Sequence, residues 1–137
     1  MIKELMHDPI FLAKKSEPAS SEDLQTAYDL MDTLMAHKEE CVGMAANMIG
    51  VSKCIIAFCD GDNYTIMLNP EILKKEQPYD TEEGCLSLFG GPRRVTRYKK
   101  IKVKFQTTDL QTRIKTYTGF SAQIIQHETD HCNGVLI

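Results

Sequence analysis

The run His127-Glu128-Thr129-Asp130-His131 constrains this chain more than any other stretch, because it reads H-E-x-x-H. Side chains four apart on a helix lie on one face, so both imidazoles can reach one metal ion. Glu128 then stands one residue round from the first ligand, where it can take a proton from an activated water. Phe120, Ile124 and His127 fall at helical spacing, as do Ile124, Glu128 and His131. Ser121-Ala122-Gln123 holds no breaker, and Asn133-Gly134 is a C-terminal stop, so the spacing predicts a helix over 120–132. The bland alternative is a buried helix whose histidines only form hydrogen bonds, and the pentapeptide alone leaves both readings open.

A catalytic metal normally has three protein ligands and a water. A metzincin-type extension would need a third histidine after Gly134, but the sequence runs only to Ile137. The third ligand is therefore expected upstream. Among the five cysteines, Cys54 and Cys59 sit in an apolar strand-like run. Cys132 is about 100° round the helix from His131. Cys85, in Glu82-Glu83-Gly84-Cys85-Leu86-Ser87, follows a glycine where the backbone can bend and turn the sulfur toward a metal. It is the expected third ligand.

With 137 residues and 42% apolar content, the chain is expected to form one domain with a sizeable core. Sixteen basic against nineteen acidic residues give a formal charge of −3, which favours neither a nucleic-acid nor an anionic-membrane partner. No stretch approaches a membrane span, and Met1-Ile2-Lys3-Glu4-Leu5 does not open a signal peptide. An odd number of unevenly placed cysteines suits reduced thiols, hence a cytoplasmic compartment. A monomer is the default expectation.

Asp8-Pro9 reads as a turn or helix start, and Ser20-Ser21-Glu22-Asp23 as a capping signal. Leu24, Ala27, Tyr28, Met31, Leu34 and Met35 then predict an amphipathic helix over 21–37. His37 at its end reads as a surface residue favoured by the helix dipole. In Cys41-Val42-Gly43-Met44-Ala45-Ala46-Asn47-Met48-Ile49-Gly50, Gly43 and the alanines allow a helix or ligand to approach the backbone closely. Composition alone favours a tight turn against the core. Cys54 to Cys59, the turn Asp60-Gly61-Asp62-Asn63 and Tyr64 to Leu68 read as a hairpin. The acids of that turn lack the twelfth-position glutamate of a calcium loop. Asn69-Pro70 is expected to end the strand and Glu71 to Gln77 to form a polar edge. Arg93 to Lys104 predicts a strand with its basic face outward, followed by a β-prone run over 112–120. The pattern is α+β.

Three stretches resemble the signature motifs of peptide deformylases, which carry G-x-G-x-A-A-x-Q, then E-G-C-L-S, then Q-H-E-x-D-H. Here they are Cys41 to Met48, Glu83 to Ser87 and Gln126 to His131, the last two matching fully. The resemblance covers nearly the whole chain. It implies mostly antiparallel strands around a C-terminal metal helix, and removal of the formyl group from N-formylmethionine of newly made proteins. It implies a metal held by Cys85, His127 and His131: iron(II) by family habit, with zinc, nickel or cobalt able to occupy the same site. It further implies Glu128 as proton carrier, the Leu86 backbone N–H at the oxyanion, and Gln126 and Asp130 as orienting partners of the ligands. The substrate peptide would lie as an added strand near Val42, Gly43 and Met44, with Val42 and Ile124 walling the methionine side chain.

The first motif departs at two positions. Cys41 replaces its first glycine, and Met48 replaces the glutamine whose amide helps hold the oxyanion. A thioether donates no hydrogen bond. The expectation is a weak deformylase, unless a neighbouring amide such as Asn47 supplies the donor. A paralogue acting on another acylated amine, or a metal- or peptide-binding relative without activity, competes with it; the retained Glu128 speaks against the latter. Many bacterial members continue into a C-terminal helix, whereas this sequence runs three residues past Gly134, so no docking role for such a helix is expected.

Overall fold

Ile55-Ile56-Ala57-Phe58 lacks polar alternation because both faces of its strand are covered. In the computed structural model, which describes residues 1–137, Ile55 and Ala57 face one apolar cluster and Ile56 and Phe58 the other. A strand covered on both sides has no polar face, so its sequence reads as one apolar run.

The sheet has five strands, β1 (Gly43–Ala45), β2 (Ile55–Asp60), β3 (Asn63–Glu83), β4 (Arg93–Gln106) and β5 (Thr112–Thr118). Each pairs antiparallel with the next in sequence, giving the order β1-β2-β3-β4-β5. Three helices complete the fold: α1 (Pro9–Leu12), α2 (Leu24–Ala36) and α3 (Gly119–Cys132). The α+β architecture and the C-terminal helix match the expectation.

Ser20 begins α2 with a capping box: its hydroxyl accepts from the Glu22 N–H at 3.3 Å, and its own N–H donates to Asp23 at 2.8 Å. A 3-10 turn over Ser21–Asp23 precedes the α-helix. The buried face of α2 is Ala27, Leu30 and Leu34, whereas Tyr28 and Met35 from the expected stripe are exposed. The stripe is thus rotated by one residue, since Leu30 lies between two positions that periodicity alone could equally bury. His37 sits half-buried past the helix end, its Nδ1 2.9 Å from the Thr33 carbonyl.

The first motif forms β1 and a 3-10 turn over Ala46–Ile49, rather than only a turn. Beyond the β2–β3 hairpin, Asn69-Pro70 does not end the strand. Asn69 adopts φ +54°, which its short polar side chain tolerates. The register shifts there, and β3 runs on against β4 to Glu83. The Asn69 side chain accepts from the Ala19 N–H at 2.8 Å and donates to the Ala19 carbonyl at 2.9 Å, tying the N-terminal segment to the bulge. Residues 71–83 pair with β4 alone, so the polar edge exists, but as a strand.

Lys100, Lys102 and Lys104 alternate outward against buried Ile101, Val103 and Phe105, as the pattern predicts. Arg97 departs from it: only 4% exposed, it points inward. The α3 helix packs through Ala122, Ile124, Ile125 and Cys132 onto the cluster holding Ile56, Phe58, Ile101 and Val103. The Gln126 side chain hydrogen-bonds neither His127 nor His131. Its side chain accepts from the Tyr98 N–H at 2.9 Å and donates to the Tyr98 carbonyl at 2.8 Å, pinning α3 to β4.

Gly134 stops α3 at φ +76°, and a Cβ there would lie 2.4 Å from the Ala13 carbonyl oxygen. Gly134→Ala combines left-handed strain with a backbone collision and should cost about 1–3 kcal/mol of stability. Urea unfolding of the two proteins measures this; a loss below about 0.5 kcal/mol, the usual surface effect, would contradict the packing described.

Candidate metal centre and active site

Helical periodicity carries His127 and His131 to the same side of α3, one turn apart. Their Nε2 atoms lie 3.0 Å from each other, with the rings inclined at 74°. The end of β3 delivers Cys85: after Glu83, Gly84 and Cys85 leave the sheet, and a turn follows in which the Leu88 N–H donates to the Cys85 carbonyl at 3.1 Å. The Cys85 sulfur and one nitrogen from each histidine lie within 4.8 Å of one another.

Two buried imidazole lone pairs facing each other repel unless a proton or cation stands between them. In the metal-free protein one proton does so. Burial alone would lower the His127 imidazole, but hydrogen bonds with Cys85 and Glu83 override it and raise it to about 10. Burial and the charged His127 push His131 down to about 3. Together with a sulfur and the unpartnered, buried Glu128 Oε1, this donor set fits a divalent metal.

Glu128 is buried beside the histidines, and burial raises its carboxyl to about 7. It lines a cavity of about 480 Å³ together with Val42, Gly43, Met48, Cys85, Leu86 and Ile124. Gly43 is required there: a Cβ would stand 2.7 Å from Ile124 Cγ2 and 2.8 Å from Glu128 Oε2. The close approach that the small residues allow is therefore by helix α3. The outer edge of β1 has no strand partner, and the Leu86 N–H enters no backbone hydrogen bond.

Other expectations change. Met44 is fully buried in the cluster under α2 and does not line the cavity, because alternation along β1 sends Gly43 and Met44 to opposite faces. Asn47 cannot stand in for a missing cavity donor: its amide nitrogen donates to the His131 carbonyl at 2.9 Å, away from the cavity lining. The Asp130 carboxylate hydrogen-bonds neither imidazole; it accepts from Arg97 at 2.6 Å. Met48 is 2% exposed, its sulfur 4.0 Å from Cys85 Sγ. Cys41 stands in the cavity wall as a protonated thiol, its burial and the Glu128 charge raising it to about 12.

Sequence reasoning assigned no role to Glu83 or Arg97. Glu83 accepts from His127 Nδ1 at 2.7 Å and from Gln123 at 2.9 Å, and Arg97 grips it through Nε at 3.0 and 3.1 Å and Nη2 at 2.7 Å. Burial alone would raise the Glu83 carboxyl, but these partners hold it down at about 2. A carboxylate on the far nitrogen fixes the tautomer and orientation of a ligating imidazole. The signal available in the sequence was an acid two residues before the cysteine; nothing distinguished Arg97 from the other six basic residues of 93–104.

Glu83→Gln should weaken metal affinity about 10–100-fold, measured by chelator competition, because a neutral amide orients His127 less firmly. A carboxyl held below its ordinary 4.5 contributes stability fully above that value and loses it as pH falls toward about 2. The metal-free parent should therefore lose stability steeply across that acid window, and Glu83→Gln less so. Equal affinity together with equal acid sensitivity in the two proteins would contradict the network.

A family model for polypeptide deformylase matches residues 3–137. A peptide deformylase from Clostridium beijerinckii is 50% identical over 137 residues, covering 100% of both chains. One from Thermotoga maritima is 36% identical over 133 residues, covering 95% of this chain and 80% of the relative. The crystal structure of a Thermotoga maritima peptide deformylase superposes with a TM-score of 0.88 at 31% identity, covering 99% of this chain and 95% of that one. A Met-Ala-Ser-bound class I type b peptide deformylase from Acinetobacter baumannii superposes equally well, TM-score 0.88 at 29% identity, over 99% and 96% of the two chains. Likeness over essentially the full length, in sequence and in backbone alike, means that the chain belongs to the polypeptide deformylase family.

Proposed function

We infer that Cys85, His127 and His131 hold the metal of this enzyme, that Glu128 moves its proton, and that iron(II) is the ion in the cell. As a family member the chain uses a divalent metal and removes the N-formyl group from the N-formylmethionine of nascent peptides, releasing formate. The assignment of residues is carried by the meeting of three donor atoms within 4.8 Å at the wall of the cavity.

A divalent ion bound there supplies Lewis acidity toward the formyl group and makes water a stronger acid. Glu128 takes a proton from the water that adds to the formyl carbon. A carboxyl poised near neutrality by burial both accepts and returns a proton readily. It passes that proton to the departing amine as the C–N bond breaks. The Leu86 N–H donates to the formyl oxygen as it gains charge. The peptide pairs with the free outer edge of β1 at Val42 and Gly43, with Val42 and Ile124 flanking the methionine side chain. Met44 contributes backbone only. A Met-Ala-Ser peptide in the Acinetobacter baumannii relative supports a peptide in this cavity.

Met48 leaves the oxyanion one donor short, and Asn47 is committed elsewhere, so the enzyme is slow for its family. An acylated amine other than formyl-methionine is the second reading, favoured only by the altered wall at Cys41 and Met48. The five free cysteines support a cytoplasmic place for one domain, taken as a monomer. No helix is long and apolar enough to cross a membrane. The near-balanced charge supports neither nucleic acid nor membrane as a partner.

Formate release from formyl-Met-Ala by anaerobically iron-loaded protein tests this reading. Glu128→Gln should lower turnover by about 10²–10⁴, and chelation should abolish it. Met48→Gln should raise turnover, by up to about 10²–10³ if the amide reaches the oxyanion. An undiminished rate in Glu128→Gln would remove Glu128 from the reaction. No gain in Met48→Gln would mean that the oxyanion is held some other way.

A further inference from the structure

Met48 is a wall residue of the cavity that departs from the family motif and sets a metal-ligating atom against Cys85. The 3-10 turn over Ala46–Ile49 buries it to 2% exposure, and its sulfur lies 4.0 Å from Cys85 Sγ. Two sulfurs bonded to a common ion at about 2.3 Å, at the tetrahedral angle, stand about 3.8 Å apart. The observed separation is thus close to that of two sulfurs sharing an ion, and methionine is the most adaptable of the apolar side chains.

We propose that Met48 is a fourth protein ligand, completing a Cys85, His127, His131, Met48 set that takes copper(I) in preference to harder ions. This rests on the reading that the other three residues hold the metal. Thiolate and thioether are soft donors that select copper(I). A harder divalent ion binds a thioether weakly and yields that position to water, so the same set supports hydrolysis with iron and closes around copper. Binding copper(I) releases to solvent both the proton shared by the His127 and His131 nitrogens and the proton on the Cys85 sulfur; no electron is transferred.

The test is X-ray absorption on the whole metal-free chain loaded anaerobically with one equivalent of copper(I). The expected spectrum contains two sulfur and two imidazole scatterers. Met48→Leu, which preserves volume, should lose one sulfur and should bind copper(I) roughly tenfold more weakly or worse against a chromophoric chelator. One sulfur in the parent overturns the proposal while leaving the three-residue site standing. Two sulfurs retained in Met48→Leu also overturn it, and assign the second to another cysteine. Copper without imidazole scatterers overturns the proposal and the three-residue site together.

Discussion

Two imidazole nitrogens buried 3.0 Å apart cannot stay there as neutral, unprotonated neighbours, and the surroundings are arranged around that conflict. A proton between them satisfies the metal-free chain, and the Cys85 sulfur lies within 4.8 Å of a nitrogen of each, where a shared cation would do the same. Much of the fold holds α3 where the conflict arises. Gln126 locks its middle to the backbone of Tyr98, Gly134 lets its end pass against Ala13, and Gly43 lets β1 approach Ile124 and Glu128. The site is thus a property of one helix pressed into a sheet from several sides.

The second requirement is orientation, which comes from charge. Arg97 is almost fully buried and spends its donors on Glu83 and Asp130, and Glu83 in turn holds His127. A buried ion pair is weak support for stability in itself, since desolvation offsets much of its attraction. Its geometry is what matters here. A guanidinium gripping both oxygens of Glu83 fixes that carboxylate in plane, and so fixes the ring that it contacts. The result is a histidine held against His131 and within 4.8 Å of the Cys85 sulfur, with little freedom to rotate, which is the preorganisation a metal site requires.

The capped first helix, the hairpin, the later basic strand and the C-terminal helix with its two histidines on one face were legible, because periodicity and turn chemistry are local; β1 was not, since its small residues read as a tight turn. The long β3 was not: Asn69-Pro70 looks like a terminator, and only pairing with β4 across a bulge carries the strand past it. Arg97 was unreadable for the same reason. Its inward turn depends on Glu83 and Asp130, partners 14 and 33 residues away. Met44 and Asn47 look as free as their neighbours in sequence, and only the strand's alternation and a carbonyl from α3 decide where each points. The departure at Met48, by contrast, is plain in the sequence, while its distance from Cys85 belongs to the fold.

Anomalous diffraction from crystals of the iron-loaded protein, recorded on either side of the iron absorption edge, tests the central claim most directly. The account predicts a single peak within bonding distance of Cys85 Sγ and both Nε2 atoms, with Glu128 beside it. A peak elsewhere, or one in contact with the histidines but out of reach of the sulfur, would contradict it.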